Sequence, residues 1–88
     1  MSRFEVRLYN SRVRELLEMD EKNTTGFDDR WADAIYEGVD APNAKAAAKM
    51  IRVKFPPRDG FVITNILHVT EVGITEISPE EYEDTGVL

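Results

Sequence analysis

The sequence predicts an α+β protein: a small two-layer sandwich in which a three- or four-stranded sheet carries two helices on one face. Three observations predict it. Residues Arg3 to Tyr9 and Phe61 to Thr70 alternate with the two-residue period of a strand. Two intervening segments repeat apolar residues at helical spacing, and turn formers separate the segments in the order β-α-β-α-β. A chain with this order and no internal repeat has one sheet to cover and two helices to cover it.

In the first strand Phe4, Val6 and Leu8 share one face while Arg3, Glu5, Arg7 and Tyr9 share the other. Asn10 and Ser11 can cap the following helix, whose Val13, Leu16 and Leu17 form a single apolar stripe and which should run to about Glu21. Residues Lys22 to Asp29 have no period and several turn formers, so they read as an exposed loop. Arg30 to Val39 is rich in strand formers, but its faces Trp31/Asp33/Ile35/Glu37 and Ala32/Ala34/Tyr36/Gly38 are both mixed. Which of them is buried stays open, and Gly38 is a candidate bulge.

Pro42 or Asn43 opens a second helix with Ala44, Ala47, Ala48, Ile51 and Phe55 on one stripe, and Pro56-Pro57 stops it. Asp59-Gly60 then turns into the strongest strand, where unbroken alternation puts Phe61, Ile63, Leu67 and Val69 on one face and Val62, Thr64, Ile66 and His68 on the other. Residues Val72 to Ile77 offer a short fourth strand. Ser78-Pro79-Glu80-Glu81 has a cap residue, a proline at the first helical position and a Glu three residues after the cap, the signature of one helical turn. Right-handed crossovers would set both helices on one side of the sheet, with the first strand in the middle or the strands in chain order.

With 88 residues the chain has room for one domain with a modest core, expected over residues 1–77 and followed by an acidic C-terminal tail over 78–88 that begins with that helical turn. All 11 Lys and Arg lie before residue 71, where 11 acids balance them, so Glu71, Glu76, Glu80, Glu81, Glu83 and Asp84 carry the whole net charge of −6. The hydrophobic fraction of 42% fits a folded chain rather than a disordered one. There is no cysteine, which removes disulfides, thiolate metal sites and a Cys nucleophile and suits a reducing compartment. No apolar run approaches the roughly 18 residues of a membrane span and the first residues show no export signal, so a soluble cytoplasmic protein is expected.

Function has to be sought on surfaces. His68 is the sole histidine, and the acids at Asp20, Glu21, Asp28 and Asp29 lack the spacing and central glycine of a calcium loop. No glycine-rich phosphate loop follows a strand and no serine sits in a nucleophile elbow, so no enzyme, cofactor or metal is expected. Two helices leave one sheet face without a cover, and the partner-binding candidates on it are Tyr9, Thr64, Ile66 and His68, joined by Trp31 if its side of the second strand is the exposed one. The first expectation is a non-catalytic protein-protein interaction module or adaptor that self-associates as a homodimer through this face, or binds another protein. The alternative uses Lys45, Lys49 and Arg52, a basic stripe on the second helix, as nucleic-acid contacts, although a pI near 4.7 opposes it and a tail folded back on the stripe would neutralise it. The core should hold Phe4, Val6, Leu8, Leu16, Leu17, Ile51, Phe55, Ile63 and Leu67.

Overall fold

The structure, a computed structural model, describes residues 1–83. The chain forms β1 (Ser2–Asn10), α1 (Ser11–Glu18), a 3-10 turn (Asp29–Ala32), β2 (Ile35–Ala41), α2 (Ala44–Lys54), a second 3-10 turn (Pro57–Asp59), β3 (Phe61–Thr70), β4 (Gly73–Glu76) and a third 3-10 turn (Pro79–Glu81). The strands make one sheet in the order β2-β1-β3-β4, and every neighbouring pair is antiparallel. The α+β sandwich with a fourth strand is therefore what forms. β1 is central because α1 does not cross the sheet: β2 starts opposite Leu8, at the end of β1 from which α1 departs. Only the β2-α2-β3 connection is a crossover, and it joins two parallel strands that flank β1.

Local chemistry sets the element ends. Asn10 is fully buried, and its side-chain oxygen accepts from the Arg12 and Val13 N–H groups, which caps α1. Its amide donates to the Asp59 carbonyl at 3.1 Å while the Ser11 N–H donates to the Gly60 carbonyl at 2.7 Å, so one residue starts a helix and ties it to the entrance of β3. α1 stops at Glu18, three residues short of expectation. Asp20 adopts φ 58°, and the N–H groups of Asp20 and Glu21 donate back to Leu17 and Leu16, closing the helix with a left-handed cap. Asn43 caps α2 through the Ala46 N–H.

The segment expected to begin the second strand at Arg30 winds instead into a turn. The Asp28 carboxylate accepts from the Arg30 N–H, and Trp31 swings inward to 7% exposure. There it meets Phe55 and Phe61 at ring distances of 5.1 and 5.3 Å, with Phe27 set edge-on to Phe61 at 4.9 Å. This aromatic cluster draws one ring each from a loop, a turn, a helix end and a strand start, so no single periodic segment announces it. α1 packs chiefly on this turn and contributes Val13 to the core, whereas Leu17 stays 37% exposed and Leu16 half-buried.

β3 does not keep the unbroken alternation its sequence predicts. Arg7 pairs with Asn65 but the next residue, Leu8, pairs with Ile63, so Thr64 is an extra residue bulged out of the ladder. One inserted residue reverses every later side chain. Before the bulge Phe61 and Ile63 face the helices; after it Ile66 and His68 do, and Leu67 and Val69 turn to the open face. Ile66 is fully buried in consequence, opposite Val6. Gly38, the glycine expected to bulge, lies in an unbroken register with Glu5. Its lack of a side chain makes room for the Arg3 guanidinium, which a Cβ there would strike.

Beyond β4 the Ile77 N–H donates to the Ile66 carbonyl, and Ile77 packs on the core. The expected helical turn forms, although the Ser78 hydroxyl donates to the Glu80 carboxylate rather than receiving a backbone N–H. Tyr82 then returns beneath α2 to 3% exposure. The packed body thus includes residues placed by sequence in the tail, of which Asp84 and those after it lie outside the described residues.

Candidate functional site

Three surfaces carry enough chemistry to consider, and the first is the open face of the sheet. At its β1–β2 side Arg3 binds Glu5 at 3.4 Å and Asp40 at 3.6 Å across Gly38, a solvated ion-pair cluster of small energetic value. Tyr9 lies on this face opposite Val62, with the Arg14 guanidinium 3.7 Å above its ring and held there by the Ala32 carbonyl. The β3–β4 side carries an apolar strip, with Glu76 paired to Leu67 on the same face. Leu67, Val69 and Ile74 adjoin one another, because Val69 pairs with Ile74, and the strip continues into Val72 at the hairpin. Ile74 and Val72 are 66% and 98% exposed.

Of the partner-binding residues read from sequence, the structure keeps Tyr9 on this face and removes three. Trp31 is in the core because its segment is a turn and not a strand. Ile66 is in the core because of the bulge. His68 faces the helix side, half-buried, with its ring stacked on Phe4 at 4.9 Å. Thr64 is exposed at the bulge, where its hydroxyl donates to the Arg7 carbonyl. Leu67 and Val69 take their place on this face, although unbroken alternation set both on the opposite side with Phe61 and Ile63; only a cue for the bulge would have found them, and Thr64-Asn65 offers none.

The second surface is the basic stripe. Lys45, Lys49 and Arg52 do come together, around a pocket of about 300 Å³ that Val53 and Tyr82 complete. None has a carboxylate within 4.0 Å among the described residues. Burial, together with the nearby Glu83 and Glu76 charges, raises the Tyr82 phenol above its ordinary pKa of 10.0, and Arg52 opposes the shift. Tyr82 therefore stays protonated at neutral pH, a neutral group among three cations. The third surface is a groove of about 410 Å³ between β2 and α2, lined by Gly38, Val39, Met50, Ile51, Val53 and Lys54.

Among the described residues no three His, Asp or Glu side chains gather as a metal site, and no helix is long and apolar enough to cross a membrane. No protein-family model, curated protein or solved structure matches the chain.

Proposed function

We propose that the chain is a non-catalytic protein-interaction module that self-associates and presents the open sheet face as its recognition surface. The observation that supports this reading is the apolar strip of Leu67, Val69, Ile74 and Val72 on a face that no helix among the described residues covers. Such a strip gains free energy on burial at roughly 25 cal/mol per Å² of apolar area, and the ion-paired quarter beside it supplies a polar rim. A photo-crosslinker placed at Ile74 in the native cell tests the surface, with one at the exposed Thr24 as control. Products from Ile74 alone are expected; none from Ile74 would remove the open face from the reading.

A second reading is supported by the convergence of Lys45, Lys49 and Arg52 on one pocket, which would serve nucleic-acid contact. Binding of that kind weakens steeply with salt and disappears when all three are replaced by Ala. The acidic balance of the whole chain disfavours it, and the chain is expected to bind neither duplex nor single-stranded nucleic acid at physiological salt.

A further inference from the structure

β2 is an edge strand. β1 pairs along one side of it, and among the described residues no backbone group of Ile35–Ala41 hydrogen-bonds outside that ladder. The opposite edge, β4, is only 4 residues long, a usual protection against further pairing, whereas β2 offers 7. On the same side of the molecule runs the groove between β2 and α2, and α2 leaves Met50 and Val53 45% and 77% exposed beside it. Unpaired backbone, an apolar groove and an apolar helix flank therefore adjoin, and all three would be covered by one occupant.

We propose that a second copy of the chain docks along β2, antiparallel, extending the sheet across a two-fold axis at Gly38 and bringing the two α2 helices side by side. The proposal rests on the reading that the chain self-associates, but not on its open face. The symmetry of the strand favours a second copy. Gly38 is the midpoint of Ile35–Ala41. Antiparallel pairing about it overlaps the whole strand and keeps each side chain on its own face, since paired positions differ by an even number. Ile35 then meets Ala41, Tyr36 meets Asp40 and Glu37 meets Val39, and no like charges are set opposite each other. Gly38 contributes no side chain of its own at the axis, and the Arg3 guanidinium that fills the space above it is already paired with Glu5 and Asp40 in each copy.

Charge agrees with this register. Val39 and Lys54 line the groove. The second copy's Glu37 arrives at Val39, so its carboxylate enters a groove edged by an ammonium, and two-fold symmetry makes the contact twice. Met50 and Val53, one helical turn apart, lie against their counterparts on the other α2. The product is a continuous sheet with twice the 4 strands of one chain, whose open faces join into a single surface.

Sedimentation equilibrium of the full chain at tens of micromolar tests the arrangement, a range in which a modest interface is occupied. Wild type should show twice the 10.0 kDa chain mass, Met50→Glu/Val53→Glu should fall to 10.0 kDa with unchanged circular dichroism, and Leu67→Glu should remain a dimer. Amide exchange across β2 should also slow as wild-type concentration rises; if the double variant unfolds, this measurement decides, and concentration-independent exchange overturns the proposal. A monomeric wild type removes self-association and this dimer with it. A dimer that survives Met50→Glu/Val53→Glu overturns the edge arrangement while leaving self-association standing, and if Leu67→Glu alone dissociates it, the copies meet through the open face.

Discussion

Asn10 shows how much one residue can hold. It is the sole fully buried polar side chain among the described residues, and it spends its oxygen on the α1 cap and its amide on the Asp59 carbonyl. Gly60, next to that carbonyl, adopts φ 102°, and a Cβ there would come within 2.8 Å of the Asn10 oxygen. Two requirements, a left-handed backbone and an empty approach, thus fall on the same glycine. Replacing Asn10 with Ala leaves two helix N–H groups and a carbonyl without partners, and should lower stability by about 2 kcal/mol in urea denaturation, more than an exposed cap would. A change under about 0.5 kcal/mol would mean that water replaces the side chain at no cost. The capping role was legible from Asn10-Ser11 alone, but its second bond was not, because its acceptor lies 49 residues away.

At the scale of elements, β3 decides which residues are core. Alternation is a local rule, and Phe61 and Ile63 obey it toward the helices just as the first strand does. Past Thr64 the rule continues with its sign reversed, so Ile66 is buried and Leu67 is not. The contrast is measurable: Ile66→Ala should cost roughly 2 to 5 kcal/mol, as a fully buried large-to-small change does, while Leu67→Ala should cost under about 1 kcal/mol in the same urea titration. Equal losses at both positions would restore the unbroken strand. The Trp31 segment departs from a strand for a related reason. Its strand-forming composition competes with a cap from Asp28 and with burial of a large ring among Phe27, Phe55 and Phe61, and the aromatic contacts prevail over local preference.

For the whole molecule, the consequence that pH can read is the return of Tyr82 beneath α2. Burial leads the causes that raise its phenol above 10.0, so the folded state holds the proton more tightly than the unfolded chain. The stabilisation is fully present below pH 10 and is lost as pH rises from the unfolded value through the raised folded one. Wild type should accordingly lose stability above pH 10 more steeply than Tyr82→Phe, followed by thermal denaturation across that range; parallel curves would show that the ring is not buried in solution. The sequence by itself determined the α+β class, the element order, the cap at Asn10, a second helix starting at Pro42 or Asn43, the buried face of β1 and the charge division along the chain, since each follows from neighbours within a few residues. Only the tertiary structure decided that β1 is central, that Thr64 inverts β3, that Trp31 and Tyr82 fill the core, and that β2 is left as a free edge beside an apolar groove. Those features depend on which distant segments meet, and pairing partners and ring contacts separated by tens of residues leave no periodic trace along a single chain.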